Sequence, residues 1–297
     1  MRKSMPFKKT FYPKNRIRTA LLLAAGTGSR LLPLTQKSPK CLTLVNKISI
    51  LERLIQSLNQ HGFKRLVVVT GHLEDCIRNF LETRAGNLKI EYIHSPLYKT
   101  TNNIYSLWMA RKAMKEPFML IESDLVFDPS LLTKMLIPDR IAIARMQPWL
   151  NGSTVTLNSA DKVNAFQSTG LNGFDEIRYK TVNIYSLSLS SWHRVVERLN
   201  QYILAGRVND YYEAVFQEMV AEKALSLEAV RFDHKPWYEV DTLEDLTSAE
   251  KLFPVRTVPP LKSTKPLKST KPLSMYGLKQ IRPKEKTVSD RRSSLSF

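Results

Sequence analysis

The 297-residue sequence predicts an α/β fold, a mostly parallel sheet flanked by helices with a small antiparallel insert. Three observations carry that reading. Between residues 19 and 253, short apolar runs alternate with segments whose apolar residues recur at helical spacing. The runs are apolar along their whole length, as strands covered on both faces are. The stretch 151–190 is richer in Gly, Asn, Ser and Thr with short apolar alternation, and reads as antiparallel strands closing over the sheet.

The elements follow in order. Residues 19–25 form the first strand. Leu51, Leu54, Ile55 and Leu58 mark a helix over 50–61. RLVVVT at 65–70 is an apolar, β-branched strand that ends at Gly71. Ile77, Phe80 and Leu81 mark a helix over 73–84, and LKIEYIH at 88–94 alternates as a strand. A helix over 104–114 precedes FMLIE at 118–122, a buried strand leading into Ser123-Asp124. RIAIAR at 140–145 is a strand, and 191–204 and 211–223 read as helices. Residues 232–253 return as a strand-like segment and then a helix from about Leu243. Folds of this kind place their ligand at the carboxyl ends of the strands. The loop from Gly26 and Asp124 both lie at such ends.

Charge divides the chain into three parts. The net charge is +18, but residues 1–18 carry +7 and residues 254–297 carry +9, leaving +2 for 19–253. The expected organisation is a basic flexible segment at 1–18, a folded domain at 19–253 and a basic Pro/Lys/Ser-rich linker or tail at 254–297. The tail repeats KSTKPL at 262–267 and 268–273, a composition that buries no core. Solvated tails and loose contact with acidic membrane or nucleic acid are the two readings of this charge; no specific nucleic-acid partner is expected. No apolar run reaches the length of a membrane span. The apolar run after the basic N-terminus is too short for a secretory leader, and an acid-free N-terminus leaves a transit peptide as the alternative. Two cysteines, Cys41 and Cys76, make no disulfide framework and point to reduced cytoplasm. His61, His72, His94, His193 and His234 have no ligand spacing and suit core or surface roles.

The most informative stretch is LLLAAGTGSRLLPLTQKSPKCLTL at 21–44. A buried strand opens into Gly26-Thr27-Gly28-Ser29, and a proline-punctuated loop with Pro33 and Pro39 ends in Lys40. Such a turn brings backbone N–H groups against phosphate oxygens. Arg30 and Lys40 add the cations a triphosphate needs. The turn lacks the third glycine of a dinucleotide loop and the acidic residue about twenty positions on. It also lacks the Gly-Lys-Ser/Thr of a P-loop.

Residues 23–42 match LAAGxGxRxxPLTxxxPKxL at every motif position, and so resemble the nucleotidyltransferases that join a nucleoside triphosphate to a phosphate ester with release of pyrophosphate. The resemblance covers about 19–253. It implies the Rossmann-like fold of the nucleotide-diphospho-sugar transferase type. It also implies a nucleotide site at Leu23, Ala24, Ala25, Gly26, Thr27, Gly28, Ser29, Arg30 and Lys40. The reaction asks for positioning and charge neutralisation, hence hard oxygen ligands for Mg2+. In the family an Asp after the central strand and an Asp in a WxExD-type motif share that metal; here these are Asp124, preceded by Ser123 in place of the usual Gly, and Asp241. A helix N-cap is the other reading of Asp241, and both roles can coexist. Glu122 and Glu239 flank the aspartates and rank lower, on the expectation that strand alternation turns them to the opposite face.

Three further segments resemble the branch that uses CTP and small phosphorylated or phosphono amines and alcohols, with phosphocholine and 2-aminoethylphosphonate cytidylyltransferases as named members. They hold the acceptor-binding candidates Asn102 and Asn103, Lys180, and Asp210, Tyr211, Tyr212 and Glu213. Each has a plainer reading: Asn102 or Asn103 caps a helix, Lys180 is a solvated strand lysine, and 209–213 opens a capped helix with core tyrosines. Arg30, Lys40 and Lys180 are the catalytic candidates, and Lys180 would approach the acceptor's phosphorus group. An aromatic and acidic cluster at 209–213 suits an ammonium. The expected activity is transfer of CMP from CTP to phosphocholine, phosphoethanolamine or 2-aminoethylphosphonate. A sugar-1-phosphate nucleotidyltransferase and a non-catalytic nucleotide-binding protein on the same fold are the alternatives. Sparse glycine in the middle of the chain, Gly170 and Gly173, argues against the first; Arg30, Lys40, Asp124 and Asp241 argue against the second. The family also allows a homodimer and an enzyme fused or partnered beyond the linker.

Overall fold

The computed structural model describes residues 16–148, 150–167 and 177–254. Most of the basic segment 1–18, Gly170, Gly173 and the 254–297 segment beyond residue 254 lie outside the described residues. In chain order the elements are β1 (Thr19–Ala24), β2 (Leu44–Val45), β3 (Ile48–Ser49), α1 (Ile50–Gln60), β4 (Arg65–Thr70), α2 (Glu74–Arg84), β5 (Lys89–His94), α3 (Asn103–Met109), β6 (Phe118–Glu122), β7 (Leu125–Phe127), α4 (Leu132–Met135), β8 (Arg140–Arg145), β9 (Thr154–Leu157), β10 (Val163–Gln167), β11 (Tyr179–Leu187), α5 (Leu189–Leu204), α6 (Tyr212–Ala221), β12 (Glu228–Arg231), β13 (Trp237–Glu239) and α7 (Leu243–Leu252).

The main sheet runs β10-β9-β11-β6-β1-β4-β5, with β8 joined to β11 and β12 to β8. Strand β1 lies parallel to β4 and β6, and β4 parallel to β5. Its side chains alternate between two cores, as the period of two requires. Ala20, Leu22 and Ala24 pack with Leu54 and Leu58 of α1 and with Ile77 and Leu81 of α2. Leu21, Leu23 and Ala25 pack with Ile104 and Leu107 of α3, Trp192 and Val195 of α5, and Phe216 of α6. This double coverage is why the strands read as continuous apolar runs.

The antiparallel insert departs from expectation in placement. It extends the sheet instead of closing over it. The second half of β11 pairs antiparallel with β6, Ile184 opposite Ile121 and Leu187 opposite Phe118, while Tyr179 and Lys180 pair with β9. The reason is that β11 is apolar on both faces: Val182 and Ile184 join one core, Tyr185 and Leu187 the other. Its register against β8 shifts between Thr181 and Tyr185, where Asn183 takes a positive φ of 57°. Sequence reading also passed over β7 and β12, which are only three and four residues long. The first of these matters here, because β7 pairs antiparallel with β13, Leu125 opposite Glu239. That pairing folds the 239–241 segment back beside the end of β6.

Candidate active site

The chain leaves β1 through Gly26 and turns at Gly28, which adopts φ 64° and ψ 34°. A Cβ there would lie 3.0 Å from Thr35 Cγ2 and 3.1 Å from Lys40 Cβ, so glycine answers both the left-handed backbone and the close approach of the loop. The Thr35 hydroxyl donates to the Gly28 carbonyl at 2.8 Å, closing the loop on itself. Gly71, at the end of β4, likewise gives room: a Cβ would meet Tyr98 Cγ at 2.7 Å. Leu23, Ala25, Gly26, Gly28, Ser29, Arg30 and Lys40 line a cavity of about 260 Å³, closed opposite by Tyr98, Asn102, Asn103, Glu122, Asp124, Tyr211 and Asp241.

At the floor of this first compartment one lysine holds two carboxylates. Lys40 Nζ donates to Asp124 Oδ2 at 2.6 Å and also pairs with Asp241 Oδ1. Arg30 Nη2 reaches Asp241 Oδ1 at 2.9 Å from a side chain that is 65% exposed. Backbone pairing fixes the two aspartates together, since Val240 N–H donates to the Asp124 carbonyl at 3.0 Å. Burial pulls the Lys40 ammonium down, but the charges of Asp124 and Asp241 outweigh it and hold the group protonated beyond the usual lysine range. The N-cap of α7 is Thr242, in a capping box with Asp245. Asp241 is therefore released from capping duty, and its carboxylate faces the compartment.

The two aspartates fit a hard divalent cation. Asp124 is 8% exposed, and its Oδ1 is buried with no hydrogen-bond partner, which is costly unless a ligand supplies one. Among the described residues no cluster of three or more His, Cys, Asp or Glu has metal-holding geometry. Asp124 and Asp241 are the residues that would hold such an ion, with other oxygens to complete the shell.

A second compartment of about 410 Å³ shares Arg30, Asn103, Glu122, Asp124, Tyr211 and Asp241 with the first and extends to Gly152, Ser153, Lys180, Asn183, Glu213 and Glu239. Lys180 is 2% exposed. Its Nζ donates to the Thr181 carbonyl at 2.7 Å and pairs with Glu239 Oε2 at 3.2 Å. Asn183 Nδ2 donates to Glu239 Oε1 at 3.3 Å. Burial pushes the Glu213 carboxyl up to about 7, against the backbone hydrogen bond and the Lys180 charge that pull it down. Burial, reinforced by Asp124, Glu213 and Glu239, raises Glu122 well above the carboxylate range. Glu239 is raised by burial too, with Lys180 opposing.

Most residues singled out from sequence converge here, in different ways. Ala24 points into the core on the other face of β1, and Thr27 is exposed on the loop and lines neither compartment. Asn102 caps α3, its Oδ1 accepting from Asn103 N–H at 2.8 Å. Asn103 is a strut: its Nδ2 donates to Glu122 Oε1 at 3.1 Å, and its Oδ1 accepts from Tyr212 N–H at 3.0 Å. Tyr211 is 62% exposed at the wall. Tyr212 is fully buried, edge-on to Tyr185 at 5.8 Å, as a core tyrosine. Asp210 pairs with Arg207 at 2.8 Å and lines a neighbouring cavity of about 360 Å³ beside Glu213. The expectation for Glu122 and Glu239 is corrected: both face the site. Residues two apart on a strand share a face, so Glu122 points with Asp124 and Glu239 with Asp241. That spacing was the signal that could have found them.

Comparison with known proteins bears on the family and the fold. Residues 19–140 match the family described as nucleotidyl transferase. The CMP-5'-(3-aminopropyl)phosphonate synthase of Streptomyces rubellomurinus is 30% identical over 246 residues, 79% of this chain and 38% of that protein. The CTP:phosphoglutamine cytidylyltransferase of Campylobacter jejuni is 26% identical over 249 residues, 76% of this chain and 97% of that one. The chain thus spans well under half of the first relative and nearly all of the second. Among solved structures, CTP:phosphocholine cytidylyltransferase from Streptococcus pneumoniae superposes with a TM-score of 0.69 at 20% identity, covering 80% of this chain and 98% of that one. The fold, the glycine loop and these relatives together place the chain in the nucleotidyl transferase family.

Proposed function

We propose that the chain is a CTP-dependent cytidylyltransferase whose acceptor is a small phosphate ester or phosphonate bearing a cationic amine. The observation that carries this reading is one cleft with two compartments sharing a wall at Arg30, Asp124 and Asp241. One is edged by a phosphate-type glycine loop, the other by buried carboxylates and a lysine. The names of the relatives, which join CTP or CMP to phosphonate, phosphoglutamine and phosphocholine, support the donor and the acceptor class.

In this reading the 26–29 loop receives the triphosphate, and Arg30 and Lys40 turn from the aspartates to its oxygens. Asp124 and Asp241 would hold Mg2+, which would supply charge neutralisation at the triphosphate and at the α-phosphate. An oxygen of the acceptor's phosphorus group forms a bond to the α-phosphorus of CTP; the α–β phosphoanhydride bond breaks, and pyrophosphate leaves. Little proton transfer is asked of the protein, and in-line positioning supplies most of the acceleration. We assign Lys180 to the acceptor's phosphorus group, with Arg30, on the wall the compartments share, reaching both phosphorus groups, and the carboxylates behind them to the acceptor's cation. No described helix is long and apolar enough to cross a membrane, and two unpaired cysteines suit a reducing compartment. The 38% coverage of the Streptomyces relative leaves room for a fused or partner enzyme.

The test is pyrophosphate release with each of four nucleoside triphosphates against amine-bearing phosphates and phosphonates, glycerol phosphate and glucose 1-phosphate. CTP with an amine-bearing acceptor is the expected pair. A preference for glucose 1-phosphate would turn the reading to a sugar-nucleotide enzyme, and silence across the panel to a non-catalytic protein.

A further inference from the structure

The second compartment contains more acid than its cations can answer. Glu122, Glu213 and Glu239 line it, and Lys180 is its one buried cation among the described residues. The donors nearby each have a partner elsewhere. Lys180 Nζ serves Thr181 and Glu239, Asn183 Nδ2 serves Glu239, and Asn103 Nδ2 serves Glu122. Glu213 has a backbone hydrogen bond and the Lys180 charge on its side, but one of its oxygens is unmet. It is 9% exposed, it lines both this compartment and the adjoining one, and its Oε2 is buried without a hydrogen-bond partner. A buried carboxylate oxygen in that state is met either by a proton of its own or by a donor from outside the protein.

Cations differ in what they bring. A primary ammonium carries three N–H donors and can bond one carboxylate while serving its neighbours. A trimethylammonium carries none, and draws its binding from aromatic faces. The tyrosine nearest in sequence does not provide such a face, because Tyr212 is packed against Tyr185 and Phe216 in the core. Tyr211 stands at the wall and can cover one side of either ligand. The unmet need is a hydrogen-bond donor.

We propose that Glu213, backed by Glu122 and Glu239, is the socket for a primary ammonium on the acceptor, and that it selects a primary amine over a quaternary one. This rests on the cytidylyltransferase reading of the same cleft. The chain therefore acts on amino-phosphonates or primary-amine phosphate esters and discriminates against fully methylated ones. The ammonium sits at Glu213 and the phosphorus group near Arg30, on the wall that the compartments share.

The experiment holds the phosphate end constant and varies the amine: phosphoethanolamine, its N-methyl and N,N-dimethyl derivatives, and phosphocholine, each with CTP, on the full chain. The expected kcat/KM falls with each methyl and drops on the order of 10²-fold or more from primary to quaternary, the scale of leaving one buried charged hydrogen-bonding group unpaired. Glu213→Gln is expected to lower kcat/KM for phosphoethanolamine by roughly 10- to 100-fold and to flatten the series. Equal or better use of phosphocholine by the unaltered chain overturns the socket and leaves the transferase reading standing. An unaltered series in folded Glu213→Gln removes Glu213 from the socket. No transfer from CTP to any acceptor defeats the transferase reading itself. The unaltered chain's series decides the selectivity even where Glu213→Gln fails to fold.

Discussion

In the nucleotide compartment two cations, Arg30 and Lys40, face two carboxylates, Asp124 and Asp241. In the acceptor compartment one buried lysine faces three carboxylates. In the proposed function the cations and anions of the first would trade partners when a metal–triphosphate enters. The second crowds acidic groups that burial raises toward their neutral forms, and a cationic ligand would favour their charged ones. The two also differ in construction. One wall of the first is a contiguous stretch, closed by local turn geometry between Gly28, Thr35 and Lys40. The second is assembled from α3, β6, β11, α6 and β13, elements far apart in sequence. Balanced charge costs the empty protein little stability, whereas unbalanced buried charge costs more and is kept for binding.

The largest expected effect lies in the balanced half. Asp124→Asn should lower kcat by roughly 10²-fold or more at saturating Mg2+, the scale of lost charge stabilisation in a preorganised site, while its melting temperature stays near that of the unaltered chain. Turnover close to normal would remove Asp124 from the metal. Lys40→Met should come next, with a loss of about 10²-fold in kcat/KM for CTP and no loss of fold, since its methylene chain still packs beside Gly28. Stability loss with specific activity retained would make Lys40 a structural residue.

The unbalanced half should show itself in pH dependence. Glu213 is raised from 4.5 to about 7. A carboxyl raised on folding binds more protons folded than unfolded, so its contribution to stability is lost as pH climbs from about 4.5 to about 7. Glu213→Gln should therefore be more stable than the unaltered chain at pH 8, by on the order of 3 kcal/mol for a shift of this size, and close to it at pH 4. Melting curves at both pH values check this; a variant less stable at pH 8 would show the carboxylate already compensated. The ionised form is the one that holds an ammonium, so kcat/KM for the acceptor should rise as pH passes upward through about 7. The smallest effect is expected from deleting residues 255–297. Every residue assigned to the cleft lies between 23 and 241, so turnover and melting temperature should both stay within error. A loss of activity would bring the tail into the site.

Legibility in the sequence follows the same division. Strands and helices of the parallel half were readable because two-sided burial makes their strands apolar throughout and their helices amphipathic. The loop from Leu23 to Lys40 was readable because turn chemistry is local. Asp241 beside Asp124 came from resemblance; the physical reason, pairing of β7 with β13, lay hidden in strands of three residues. Tyr212 could have been placed in the core from the stripe Tyr212, Val215, Phe216 and Met219, which are all buried on one face of α6. Glu122 and Glu239 were turned the wrong way by a period-of-two count that in fact sets them beside the aspartates. The partnered donors around Glu213 were not readable, since hydrogen bonds between α3, β6, β11 and β13 have no sequence signature.

The central claim is that this cleft joins CMP to an amine-bearing phosphorus acceptor. Phosphorus NMR of the full chain with CTP, Mg2+ and 2-aminoethylphosphonate tests it most directly, because each phosphorus atom reports its own bonds. The account predicts a new mixed anhydride between the α-phosphate and the phosphonate, with an equal amount of pyrophosphate, and neither product with Asp124→Asn. CTP left intact, or converted to CMP and pyrophosphate with the phosphonate untouched, would contradict it.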